Sequence, residues 1–169
     1  ELIHKARKMS SMITLPQIVN ASCGELDIRG VAHRGYFASI TDFKSYYDAN
    51  ISLIDIKTAQ SLFNPEWPIY PRTNDSCPTQ YFKGAEIKNS IVSNGCLIEG
   101  TVENCVIGRG CQIKKGAVVK NSVILANTTI CEDVHLENQV VDKWAKITRG
   151  REIIADPQHP GYIRRDDIL

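Results

Sequence analysis

Between Ile87 and Ile153 a small residue is followed two places on by an aliphatic one with little drift. The pairs are Ser90/Val92, Cys96/Ile98, Cys105/Ile107, Cys111/Ile113, Ala117/Val119, Ser122/Ile124, Thr128/Ile130, Val134/Leu136 and Ala145/Ile147. From Ile107 onward the aliphatic positions are 107, 113, 119, 124, 130, 136, 141, 147 and 153, in steps of six, six and five, so three steps make a 17-residue period. A helix needs apolar positions about every 3.6 residues, and a sandwich strand alternates for about 4 to 8 residues before it turns. Neither template fits, which leaves an ordinary β-sandwich with chance spacing as the weaker alternative. A six-residue beat is a short extended piece and a bend, and three such pieces close one triangular coil of a parallel β-solenoid.

Taking every third unit predicts three stacked columns: Val92/Ile107/Ile124/Val141, Ile98/Ile113/Ile130/Ile147 and Val102/Val119/Leu136/Ile153. Within a column each side chain lies over its counterpart at about 4.8 Å. The small partner two residues earlier has the same strand parity and points inward as well, so it has to be compact. Gly95, Gly108, Gly110, Gly116, Asn104, Asn121, Asn127 and Asn138 fall between strands, where left-handed backbone is expected.

Ahead of the repeat the pattern changes. Leu2, Ala6, Met9 and Ile13 mark one face of a short amphipathic helix, with Lys5, Arg7 and Lys8 outside it and Pro16 as its stop. Leu26, Ile28 and Val31 read as extended. Phe43, Tyr46, Tyr47, Asn50, Ile51, Leu53 and Ile54 predict a second helix behind Ser39 or Thr41 as N-cap, with Asp42 near its positive end. Four prolines, Pro65, Pro68, Pro71 and Pro78, then exclude helix and central strand. Trp67, Ile69 and Tyr70 make this bridge apolar enough to dock. The expected organisation is an α/β remnant over residues 1–62, an ordered proline-rich linker over 63–85 and the solenoid over 86–169. Two helices and a strand or two make a poor independent core. The first piece, starting at Glu1, is therefore expected to be the end of a larger domain.

A formal charge of +1 gives no basic excess for nucleic acid or an anionic membrane, and no apolar run approaches the roughly 20 residues of a bilayer span. Cys23, Cys77, Cys96, Cys105, Cys111 and Cys131 form no C-x-x-C pair, and no His stands at ligand spacing. Cys96, Cys105 and Cys111 occupy the small inward slot, as packing thiols of a reducing, cytoplasmic compartment, and Cys96 stacks on Cys111. No catalytic, cofactor or metal residue is assigned.

The run from Gly35 to Asn50, Gly-Tyr-Phe-Ala-Ser-Ile-Thr-Asp-Phe-Lys-Ser-Tyr-Tyr-Asp-Ala-Asn, resembles the segment G-Y-W-x-D-V-G-T-x-x-S-Y-Y-x-A-N of the ADP-glucose pyrophosphorylases, the glucose-1-phosphate adenylyltransferases of bacterial glycogen synthesis. Trp67-Pro68-Ile69 resembles the W-P-I of that family's linker, which is followed by a hexapeptide solenoid. The resemblance covers nearly the whole chain. It implies a left-handed parallel β-helix, a hand that spacing alone does not give. It also implies that Ser39 stands where the family has the Asp that holds the catalytic Mg²⁺, and a neutral hydroxyl is a poor ligand for so hard a cation. No G-x-G-x-x-G or G-x-x-x-x-G-K phosphate loop occurs.

The chain thus resembles the non-catalytic sister subunit of that family, a regulatory and assembly partner of the catalytic subunit. In such oligomers the β-helix helps form sites for phosphorylated effectors. Candidate anion-binding residues are Lys114, Lys115, Lys143, Arg149 and Arg151, with Arg164 and Arg165, although solvated solenoid edges carry such charges anyway. Three rival functions are weaker. An acyltransferase needs a His base in a cleft, and His135 sits on the outward parity. A solenoid carbonic anhydrase needs three His ligands, and His4, His33 and His159 lie outside the repeat. A plain structural hexapeptide module is the third.

Overall fold

The computed structural model describes residues 2–9, 12–70 and 75–169. Pro71 and Asn74 of the proline-rich stretch lie outside the described residues. The chain separates into two compact units, one ending at Arg34 and the other running Gly35–Leu169.

The first unit holds α1 (Leu2–Met9) and α2 (Leu15–Ser22). Pro16 does not stop the first helix. It lies in the first turn of α2, where its missing N–H costs nothing. Gln17 reaches back to accept from the Thr14 backbone N–H at 2.8 Å, the reciprocal half of a capping box. The stretch with Leu26, Ile28 and Val31 joins no strand among the described residues, and Val31 is 92% exposed. Leu2, Ile3, Ala6, Ile13, Leu15 and Ile18 line a shallow apolar groove of about 300 Å³ within this unit.

The second unit opens with α3 (Phe43–Ser52) and α4 (Ile56–Leu62). Neither Ser39 nor Thr41 caps α3. Asp42 does, its carboxylate accepting from the Ser45 N–H at 2.7 Å, while Asp55 caps α4 through the Thr58 N–H. Those contacts hold both carboxyls below the usual carboxylate range. The linker aromatics do not dock, since Trp67 is 79% and Tyr70 88% exposed.

Five coils follow. The first is β1 (Gln80–Tyr81), β2 (Glu86–Lys88) and β3 (Ile91–Val92), and the second β4 (Leu97–Ile98), β5 (Thr101–Glu103) and β6 (Val106–Ile107). The third is β7 (Gln112–Ile113), β8 (Val118–Lys120) and β9 (Val123–Ile124). The fourth is β10 (Thr129–Ile130), β11 (His135–Glu137) and β12 (Gln139–Val141), and the fifth β13 (Lys146–Ile147), β14 (Glu152–Ile154) and β15 (Gly161–Ile163). They make three five-stranded parallel sheets, one per side of the triangle. Pairing begins at Gln80, inside the stretch read as linker.

The columns stack in the expected register: Ile98, Ile113, Ile130 and Ile147 are successive partners, as are Val102, Val119, Leu136 and Ile153. The third column continues from Val141 to Ile163, so the carboxy-terminal tail contributes a strand to the stack. Ile98, Ile113, Ile130, Leu136 and Ile147 have no solvent exposure, and the small slots Cys96, Cys105, Cys111, Ala117, Ser122 and Thr128 are equally buried. Cys96, Cys105 and Cys111 are free thiols. Burial pushes the Cys105 thiol up to about 12, and the neighbouring Cys96 sulfur together with burial raises that of Cys111.

Three of the glycines and all four asparagines singled out have positive φ. Gly108 is the exception; what it supplies is room, because a Cβ there would meet the Ala126 nitrogen at 2.7 Å. At one corner the asparagines form a ladder, Asn89 donating to Asn104 at 2.7 Å and Asn104 to Asn121 at 3.2 Å.

Candidate functional site

Two surfaces of the solenoid depart from the repeat. The first is the outer face of the sheet formed by β3, β6, β9, β12 and β15. Outward positions of the other two sheets are mostly polar, but here Val106, Val123 and Val140 point out and are covered by Tyr46, Tyr47 and Ile51 of α3. The Tyr47 hydroxyl donates to the Asn121 carbonyl at 2.5 Å, and burial raises its pKa to about 12. Phe43 meets Tyr162 edge-on at 5.7 Å, and the Tyr162 hydroxyl donates to Asp142. Residues 35–50, which carry the family-like motif, are thereby tied to the solenoid through α3. Ser39 is exposed on the segment leading into that helix.

The second departure is a corner. Residues 82–85, 114–117, 131–134 and 148–151 turn the chain from the first sheet to the second in four of the coils, whereas in the second coil only Glu99 and Gly100 do so. The backbone ladder still crosses this place, with the Glu86 N–H donating to Gly100 at 3.2 Å and the Thr101 N–H to Ala117 at 2.8 Å. What is missing is the outward bulge, and a groove of about 470 Å³ is left along the corner. Gly100 forms its floor, and a Cβ there would stand 2.4 Å from the Ala117 carbonyl oxygen.

The candidate anion residues divide between two corners. Lys115 and Arg149 line this groove, joined by Lys83, which the repeat pattern did not single out. Lys114 is next to it and pairs with Glu99 at 3.6 Å, while Arg149 pairs with Asp133 at 2.9 Å. Arg151 is exposed at the entry to β14. Lys143 lies at the corner leading into β13, and its backbone N–H, with the Tyr162 hydroxyl, keeps the Asp142 carboxyl below its ordinary range. Arg165 pairs with Asp166.

His135 faces outward as expected, with Nδ1 3.8 Å from Glu152 and Nε2 4.0 Å from Glu137. Among the described residues no three His, Cys, Asp or Glu side chains converge as a metal site. Nor is any described helix long and apolar enough to cross a membrane.

Residues 78–162 match the family model described as GlmU-like, C-terminal hexapeptide, which takes in the five stacked coils short of their last residue, Ile163. The chain belongs to that hexapeptide family. Beyond this hexapeptide domain, the similarity extends to a named relative, the glycogen biosynthesis protein GlgD of Bacillus subtilis. It is 36% identical over 152 residues, covering 90% of this chain and 44% of the relative. A glucose-1-phosphate adenylyltransferase of Clostridium perfringens is 40% identical over 97 residues, 57% of this chain and 25% of the relative. That of Fervidobacterium nodosum is 34% identical over 119 residues, 70% of this chain and 29% of the relative. The chain therefore spans less than half the length of these relatives. At 152 residues, the similarity to GlgD reaches beyond the coils into the helical segment ahead of them.

Proposed function

We propose that this chain is part of a non-catalytic, regulatory and assembly subunit of glucose-1-phosphate adenylyltransferase, working in the cytoplasm in glycogen synthesis beside a catalytic subunit. The observation that carries the reading is Ser39. It stands where the family segment has its metal-binding Asp, on a chain whose match to GlgD covers 90% of its residues. A hydroxyl offers Mg²⁺ no charge, so the chemical step loses its main electrostatic support. The solenoid core meanwhile keeps its register, which fits a folding and binding requirement without a catalytic one. In this reading the β-helix makes the oligomer contacts, and its basic corners answer a phosphorylated effector.

The test is to mix the full-length subunit with a catalytic glucose-1-phosphate adenylyltransferase. Light scattering should show a mixed oligomer, and its rate or effector response should differ from that of the catalytic subunit alone. The subunit by itself should release no pyrophosphate from ATP and glucose 1-phosphate with Mg²⁺. Separate species with unchanged kinetics would leave only a structural role, and turnover by the subunit alone would remove the non-catalytic one.

A further inference from the structure

We propose that the notch left by the two-residue corner Glu99–Gly100 is a binding site for a phosphate ester, held between Lys83 and Lys115. The inference deepens the effector reading and rests on it for the class of ligand. Every other coil fills this corner with a four-residue turn, so a gap opens over one rung only. The turns on either side, two rungs or about 10 Å apart, carry Lys83 and Lys115. Lysine side chains from both sides reach the middle of such a gap, and a dianionic phosphate placed there meets two point charges at once.

Of the other cations beside the groove, Lys114 is committed to Glu99 and Arg149 to Asp133, while Arg151 lies outside its lining. Lys83 and Lys115 form no ion pair among the described residues. Glu132 is the remaining acid in the groove, but it belongs to the coil beyond Lys115, away from the gap. The floor is kept open by Gly100, whose replacement by any larger residue collides with backbone.

Isothermal titration of the purified chain at fixed ionic strength tests the site, with glucose 1-phosphate, inorganic phosphate and glucose as probes. Both phosphates should bind with one site per chain, and neutral glucose should not. Lys83→Ala/Lys115→Ala, which alters only exposed side chains, should weaken binding about tenfold or more. Inserting two residues between Glu99 and Gly100 restores the standard corner and should abolish binding with the thermal midpoint unchanged. Absence of binding to the unmodified chain at about 10 mM, or affinity unchanged in the double variant, overturns the proposal. Either result is separable from the mixing experiment, since a mixed oligomer can form with the notch empty.

Discussion

Ile130 sits mid-column with Ile113 below and Ile147 above, fully shielded from water. Ile130→Ala should cost about 2 to 5 kcal/mol, because the rigid rungs cannot collapse into the space. Lys114→Ala, at an outward position with one partly exposed ion pair, should change stability by about 0.5 kcal/mol or less. Urea midpoints of the two variants check both values. Trp144 is the opposite case. It has φ 66° where the equivalent positions in earlier coils are Gly95, Gly110 and Asn127, and the residue is 53% exposed. A bulky side chain gains nothing from that backbone, so Trp144→Gly should stabilise by about 1 kcal/mol, read as a higher melting temperature. The inward residues were legible in the sequence because column stacking demands one shape every 17 positions. Trp144 was legible by position alone: the period sets it where Gly110 and Asn127 stand, but its residue type gives no sign of a left-handed turn.

At the scale of elements, α3 and the third sheet form a joint whose two halves are both written in the chain. Strands of that sheet carry two aliphatics in a row, Val106-Ile107, Val123-Ile124 and Val140-Val141, whereas Gln112-Ile113 and Thr129-Ile130 of the first sheet pair one polar residue with one aliphatic, and single doublets such as Leu97-Ile98 and Val118-Val119 occur elsewhere. The inner residue of each doublet fed the repeat, and the outer one marks a covered face because three successive rungs of one sheet repeat it. Val123→Asp would bury a charge under Tyr47 and should free α3 while the ladders persist. Hydrogen exchange would then quicken in α3 and stay slow in β6 and β9.

Tyr47 also gives this joint a pH limit. Its folded pKa of about 12 lies above the ordinary 10, so its contribution is complete below pH 10 and is lost as pH rises towards 12. Cys105, raised from 9 to about 12, adds a loss of the same sign that begins lower. Tyr47→Phe should flatten the steeper part of that decline in denaturation midpoints measured between pH 9 and 12. Pro16 and the α3 cap were misassigned for one reason: a proline and a run of polar residues each fit either side of a helix boundary, and hydrogen-bond partners decide between them.

For the molecule as a whole, each rung is stabilised by its neighbours, and the last rung depends on the tail. Ile163 enters the column 22 positions after Val141 because a short loop closed by the Asp156–His159 bridge intervenes, and this hid the fifth strand from the period. Ending the chain after Ile154 should remove that strand and the Lys146–Ile168 bridge. Circular dichroism should then show a broader, lower thermal transition with the remaining β signal intact. The notch was legible only in retrospect, as a step of four between Ile98 and Val102 where six is usual. A missing pair of residues is a weak signal until the coils on either side are in place.

The attachment of α3 to Val106, Val123 and Val140 also has a mechanical meaning. A pull on the chain from its amino-terminal side reaches α3 before β1, and α3 bears on three rungs together. Load enters the stack as shear spread over its middle, and the first coil is protected from being peeled away alone. In single-molecule stretching this would appear as one high-force release of the helix ahead of a series of smaller, evenly spaced coil openings.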